Sequence, residues 1–326
     1  MIIARSPLRI SLGGGGTDLA SYYSQRGGFL VAGAINQYVY VSIMKPFEKG
    51  IFLKYSTQET VKDPTQIKHP IIRACLCLDR FQTDQIEITT LADIPSGTGL
   101  GSSSSFTVAL LKALCSFFGQ PIHPVELAEL ACHIEIEILG EPIGKQDQYI
   151  SAFGGLSQFV FEKDGSVKTS SIAVSRETIS QLSQNLLLFY TGIRRSASEI
   201  LAEQVSKTKT NDLAMLNNLD EVKKIGRLSA KLLSKGRLNE YGELLDTHWK
   251  IKLSRSPNMT TEKINETYKY ALKSGALGGK IVGAGGGGFL LFYASDPAHL
   301  RKAMQKQELE ELNFKFDFEG TKILSA

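Results

Sequence analysis

The stretch best suited to chemistry lies between Pro95 and Ser105. There Gly97, Gly99 and Gly101 alternate with Ser96, Thr98 and Leu100, and Ser102, Ser103, Ser104 and Ser105 follow. Pro95 ends the preceding segment, and the glycines let the loop present successive backbone N–H groups without Cβ crowding. The serines read as the cap and first turn of a helix. The first N–H groups of a helix lack internal partners, and aligned peptide dipoles place roughly +0.5 charge there. Such a loop suits a di- or triphosphate, and the hydroxyls can bond to it or reach a phosphate-bound Mg²⁺. Capping alone would need one serine rather than four.

Two other glycine stretches imitate phosphate loops and fail. Gly140-Glu141-Pro142-Ile143-Gly144-Lys145 is one residue short of a Walker A loop, and Gln146 follows where Ser or Thr is required. Gly283–Gly288 satisfies G-x-G-x-x-G, but Phe289–Tyr293 reads as a strand where a dinucleotide fold needs a helix. Fourteen of the 30 glycines fall at 13–16, 97–101, 278–279 and 283–288. Each cluster abuts a periodic segment, which implies backbone drawn close to something.

The elements that must hold these loops follow from periodicity. Residues 2–12 alternate as a strand, and 29–35 and 38–44 read as a β-pair turning at Asn36-Gln37. Further strands are expected at 51–55, 85–91, 156–161, 186–190, 280–282, 289–293 and 314–318. Helices are expected at 66–81, 103–118, 124–139, from Gly144 through Tyr149, across 196–254, at 261–274 and from Asp296-Pro297. Strands and helices interleave without strict β-α alternation, so the fold class is α+β. A chain of 326 residues corresponds to about two domains. They are placed at 1–170 and 171–326, with the boundary near 165–185. The crevice between two packed halves is the default place for a ligand.

Composition removes other classes. Thirty-seven basic against 33 acidic residues give +4, spread without a basic block, which argues against nucleic acid. No apolar run reaches the ~18 residues of a membrane helix. The N-terminus carries Arg5 and Arg9 within its apolar stretch and has no small-residue cleavage site, unlike a signal peptide. Cys75, Cys77, Cys115 and Cys132 fit no metal or redox spacing and read as buried small hydrophobes. A cytoplasmic protein is expected.

Three segments in order resemble the GHMP kinases: Ser6-Pro7-Leu8-Arg9-Ile10-Ser11-Leu12 with Gly13–Gly16, Thr17 and Asp18; the Pro95–Ser105 loop; and Lys280-Ile281-Val282 with Gly283–Gly288 and Phe289. The resemblance spans almost the whole chain. It implies a two-domain GHMP-kinase-like fold, with an N-terminal α+β domain carrying the nucleotide loop and a C-terminal ferredoxin-like domain. ATP with Mg²⁺ would be the phosphoryl donor. Relatives often have Gly-Glu-His where Gly14, Gly15 and Gly16 stand here. That departure, with Gly144–Tyr149 and Thr191-Gly192-Ile193-Arg194, is similar to the sugar 1-kinase branch. The substrate implied is a heptose 7-phosphate, phosphorylated on its anomeric hydroxyl to the 1,7-bisphosphate on the way to nucleotide-heptose and surface polysaccharide.

Carried over residue by residue, the resemblance implies Asp147 as proton acceptor and Arg9 as the charge that keeps it ionised. Pro95, Gly97, Gly99, Leu100, Gly101, Ser102, Ser103 and Ser104 would bind nucleotide. Ser103 and Glu135 would face Mg²⁺, whereas Glu137, about 200° further round a helix, cannot point the same way. Thr17, Asp18, Gly285 and Gly286 are expected against the substrate, and Lys145, Arg194 and Arg195 are candidates for its phosphate. The partners are ATP and a sugar phosphate, with no nucleic acid and no membrane, and homodimerisation is left open. Competing readings are a kinase for unphosphorylated galactose or L-fucose, a sugar- and ATP-binding regulator without catalysis, and an ATP-driven decarboxylase.

Overall fold

The computed structural model describes residues 1–194 and 198–325. The first sheet is built from β1 (Ile2–Gly13), β2 (Gly28–Met44), β3 (Gly50–Lys54), β4 (Gln58–Val61), β5 (Gln85–Ala92), β6 (Leu156–Phe161) and β7 (Val167–Ser171). Antiparallel β1 and β2 are its spine. The first half of β2 pairs with β6 and the second half with β5.

Because β2 runs unbroken, the expected turn at Asn36-Gln37 is corrected to a bulge. Pro7 stands opposite Tyr38 and Leu8 opposite Ile35, so two residues loop out while pairing continues. Asn-Gln lacks the glycine that a two-residue turn demands.

The second sheet contains β8 (Leu186–Tyr190), β9 (Ala276–Ile281) and β10 (Phe289–Ala294), all antiparallel in the order β8-β10-β9. Residues 310–312 lie along the free edge of β8 through Tyr190 N–H to Glu310 O and Leu312 N–H to Leu188 O. With that edge segment the strand order matches a ferredoxin-like β-α-β-β-α-β unit, the first crossover carrying extra helices. The last strand, β11 (Lys322–Ser325), returns to pair with β1 in the first sheet.

Other expectations are corrected by turn chemistry. Pro70 starts a helix that ends at Leu76, rather than lying inside one that spans 66–81, because proline has no N–H for the ladder. The helical region at 196–254 is three helices, Ser198–Lys209, Leu213–Ser234 and Leu238–Leu253. Left-handed Asn211 (φ 56°) and Gly236 (φ 67°) divide them. Residues 314–318 form no strand beyond a bridge from Phe316 to Ile35, since Asp317 takes the N–H groups of Glu319 and Gly320 and turns the chain.

Two apolar layers flank the spine. Val108, Leu111 and Leu114 of the Ser102–Phe117 helix fill one with Leu30, Val41 and Ile43. Leu8, Ile10 and Leu12 enter the other, beside Tyr241, Leu245 and Leu291. Strand alternation then turns Arg9 and Ser11 to the opposite face, toward a cleft.

The glycine clusters divide by task. A Cβ on Gly14 (φ 84°) would meet the carbonyl oxygen of Phe29 at 2.2 Å, and one on Gly226 would meet Gly14 Cα at 3.0 Å. These glycines let the Leu213–Ser234 helix lie on the first loop, and only Gly15 and Gly16 reach the cleft. Gly14→Ala should therefore lower unfolding free energy by about 2–4 kcal/mol, through strain plus overpacking. A shifted urea midpoint at unchanged slope would report it; a midpoint equal to the parent's would refute the packing role.

Candidate active site

A cleft of about 400 Å³ opens between the glycine loops, walled by residues from both halves of the chain. At its centre Arg9 grips Asp147 with two parallel bonds, Nε to Oδ1 at 2.7 Å and Nη2 to Oδ2 at 2.5 Å. Arg9 Nη1 donates to Gly99 O at 2.5 Å and its backbone N–H to Leu100 O at 3.0 Å. One buried arginine thus ties β1, the serine-rich loop and the Gln146–Phe153 helix together. Gln146 Nε2 adds a bond to Asp147 Oδ1 at 2.9 Å. The Asp147 side chain keeps 23% of its surface exposed to the cleft. Lys145, not Asp147, is the cap residue of that helix.

The loop differs from expectation in one respect. Gly101 (φ 79°), not a serine, is the cap of the Ser102–Phe117 helix, and no side chain caps it. The serines occupy the first turn instead. Ser103 Oγ donates to Glu135 Oε1 at 3.2 Å, and Ser105 Oγ donates to Pro7 O. The leading N–H groups of the turn are thereby left for something in the cleft. Gly97, Gly99, Gly101, Ser102, Ser103 and Ser104 line it, whereas Pro95 and buried Leu100 stand behind the wall.

Glu135 sits in a π-helical segment, His133–Ile138, that follows the Pro124–Cys132 helix. It is 1% exposed and accepts Gln148 Nε2 at 2.7 Å besides Ser103. Burial pushes its carboxyl up to about 7, because no cation offsets its charge among the described residues. Glu137 faces outward and pairs with His133, as the helical spacing predicts.

Asp18 reaches the cleft, where it accepts Gly16 N–H at 3.0 Å and Gln146 N–H at 3.2 Å. It does not cap its own helix. Burial, then the charge of Asp147, raises its pKa. Thr17 is corrected: its hydroxyl is buried and spent on Gly14 O and Phe29 O, so it holds the loop rather than the cleft wall.

Lys145 is corrected too. Its ammonium turns away to Glu129 and Gly165 O. Arg194 is exposed and off the cleft wall, and Arg195 lies outside the described residues. Gly285 lines the cleft, while Gly286 donates its N–H to Met259 O. The second and third glycine loops touch directly, since a Cβ on Gly283 would meet Gly99 O at 2.7 Å.

Sequence reasoning missed the cleft's cations. Lys252 is 6%, Arg255 7% and Lys280 2% exposed, and all three line the cleft with His248. Lys252 Nζ donates to Ile281 O at 3.1 Å and Gly283 O at 2.6 Å. Arg255 donates to Asn218 Oδ1 at 2.8 Å and to Gly15 O at 3.3 Å. Among the described residues Lys280 has only His248 Nδ1, at 3.5 Å. Burial and the neighbouring Arg255 and Arg9 charges pull Lys280 down to about 7. A signal existed: Lys252 shares the helix face of Tyr241, Leu245 and His248, and Lys280 interrupts a buried strand.

The N-terminal part of the chain matches the family model for the GHMP kinases N terminal domain over residues 69–155, and the C-terminal part matches the GHMP kinases C terminal model over 229–309. Together the two matches take in more than half of the chain. The D-glycero-alpha-D-manno-heptose 7-phosphate kinase of Campylobacter jejuni is 29% identical over 98% of both chains. The L-fucokinase/L-fucose-1-P guanylyltransferase of Bacteroides fragilis is 31% identical over 91% of this chain and 35% of its own length. A solved D-glycero-D-manno-heptose 1-phosphate kinase from Bacteroides thetaiotaomicron superposes with a TM-score of 0.82 over 100% of this chain and 99% of that one. At 23% identity that likeness speaks for the fold alone.

Lys280 yields a stability test. Its folded pKa lies below the unfolded value near 10.5, so unfolded chains bind the extra proton between about pH 7 and 10.5. The buried ammonium therefore costs stability most below pH 7, and the cost fades as pH rises through that window. Lys280→Met should stabilise the ligand-free protein by ~1–4 kcal/mol at pH 6 and by less at pH 9. A variant less stable than the parent at pH 6 would contradict the burial cost.

Proposed function

The chain belongs to the GHMP kinase family, and on that premise we propose that it transfers the γ-phosphoryl group of ATP to the anomeric hydroxyl of D-glycero-D-manno-heptose 7-phosphate. The reading rests on the forked Arg9–Asp147 pair, a held carboxylate aimed into a cleft beside an uncapped serine-rich helix start. The full-length similarity to a heptose 7-phosphate kinase supports the choice of sugar.

Phosphoryl transfer asks a protein mostly for positioning and charge neutralisation. The N–H groups of the Gly97–Ser104 loop hold the nucleotide phosphates. Asp147 Oδ2 retains a free lone pair beyond its bond to Arg9, orients the sugar hydroxyl and takes its proton late in the transfer. Arg9 fixes the carboxylate and faces the negative charge that develops on the attacking oxygen. Ser11 Oγ and Gln146 Oε1 are buried cleft atoms without partners among the described residues, which suits the remaining sugar hydroxyls.

The donors Ser103 Oγ and Glu135, both hard oxygens, fit Mg²⁺, and an uncompensated carboxylate is what a cation would relieve. When bound, the ion would neutralise charge on the phosphates. We place the reaction in the cytoplasm; no helix among the described residues is long and apolar enough to cross a membrane.

Asp147→Asn should cut kcat by ~10² or more and leave the KM for ATP within about twofold. Near-parental turnover would remove Asp147 from the proton path. A panel of the heptose 7-phosphate, free heptose, galactose and L-fucose with Mg·ATP, followed by phosphorus NMR, tests the substrate. Equal rates on the unphosphorylated sugars would overturn the assignment.

A further inference from the structure

The charges in the cleft are unevenly matched. Arg9 has Asp147 as its counter-ion. Lys252, Arg255 and Lys280 have no carboxylate oxygen within 4.0 Å among the described residues and bond only to carbonyls, an amide and an imidazole. Removing an ammonium or guanidinium from water costs several kcal/mol even after relaxation, and an ion pair is the usual compensation. A protein that leaves three such groups on one wall has a cleft built for an anion it does not itself supply.

Their place identifies which anion. Ser103 and Glu135 stand at one end of the cleft, beside the serine-rich helix start. Arg9 and Asp147 stand beside that helix start, since a Cβ on Gly101 would meet Asp147 Oδ2 at 3.0 Å and Arg9 Cγ at 3.3 Å. Arg255 stands against Gly15 and within the field of Asp18, and Lys252 is anchored on the third glycine loop. Arg255 thus stands with Gly15 and Asp18, where the acceptor is expected, and Lys252 and Lys280 lie within the field of Arg255 and Arg9.

We propose that Lys252, Arg255 and Lys280 form an anion subsite for a phosphate monoester carried by the acceptor sugar, a proposal that rests on the kinase reading above. The guanidinium fork suits phosphate oxygens, and the two ammonium groups supply point charges. His248, whose pKa burial and the Lys280 charge pull down, is the ammonium's one side-chain partner among the described residues and adds no competing charge. An acceptor without the phosphate leaves all three charges unpaired, so the subsite also selects. Loss of the phosphate should lower kcat/KM by ~10²-fold or more.

The test is thermal unfolding with inorganic phosphate as probe, with and without a saturating non-hydrolysable ATP analogue and Mg²⁺. The parent should gain melting temperature with phosphate while the analogue is bound. Lys252→Met and Lys280→Met should lose most of that gain and keep their response to the analogue. On heptose 7-phosphate both variants should raise the sugar KM at least tenfold with the KM for ATP within twofold. A phosphate response that vanishes once the analogue binds would assign these cations to the nucleotide and overturn the proposal. A full response in both variants would overturn it as well.

The ligand-free melting temperature separates function from folding. Lys280→Met should melt no lower than the parent, and a lower value accompanied by loss of the analogue response would mark the lysine as structural and sink the subsite. If the parent keeps the phosphate response but leaves heptose 7-phosphate unreacted, the sugar assignment falls and the subsite stands.

Discussion

The cleft depends on one ion pair. Arg9 projects from the spine strand, yet its partners belong to two other elements, Gly99 on the serine-rich loop and Asp147 on the Gln146–Phe153 helix. A forked arginine–carboxylate contact fixes orientation as well as distance, which a single ammonium could not do. Its position follows from strand alternation: Leu8, Ile10 and Leu12 are held in the apolar layer, so Arg9 and Ser11 have only the cleft to face. The core thus aims the arginine, and the arginine aims the aspartate.

Glycine supplies the second constraint. The second and third glycine loops meet where side chains would collide, and backbone oxygens occupy the space a Cβ would need. Gly288 would meet Thr98 O at 2.2 Å and Gly99 would meet Val282 O at 2.7 Å. Much of the glycine therefore serves contact between loops and helices, and a smaller share faces the ligand. That close approach brings cations from the C-terminal part of the chain onto a wall that begins with Arg9.

The motif-bearing parts of the site were legible in the sequence because their chemistry is local. A glycine–serine loop before a helical period, and a carboxylate in a recognisable segment, declare themselves within a dozen residues. Arg9, Asp147, Ser103, Glu135 and Asp18 accordingly stand together in the cleft. Thr17 and Lys145 were misplaced because one residue's position along the chain does not fix which way its side chain turns. Thr17 found two carbonyls at hand, and Lys145 found Glu129. Lys252 and Arg255 were hidden for another reason, since they lie at the end of a Lys- and Glu-rich helix where a charge is ordinarily solvated. The turn expected at Asn36-Gln37 failed because pairing partners on both sides of β2 outweighed local turn chemistry.

Charge is distributed along the cleft as the proposed reaction requires. On the proposed reading ATP brings a polyanion into the cleft and a sugar phosphate brings a dianion. Two unit charges 4 Å apart repel by about 4 kcal/mol at an effective dielectric constant near 20, so unneutralised phosphates would oppose their own approach. The protein separates the remedies. The serine-rich helix start offers N–H groups and the Ser103–Glu135 oxygens, which on that reading would suit a dissociable metal ion. The C-terminal part of the chain offers desolvated cations, Lys252 and Arg255 held to carbonyls and Lys280 pulled down to about 7 until an anion sits beside it. Arg9, paired with Asp147, offsets the negative charge that the aspartate would set between the two phosphates. Without that offset an aspartate acting as the base would repel both phosphates, so the proposed reaction needs the arginine as much as the carboxylate.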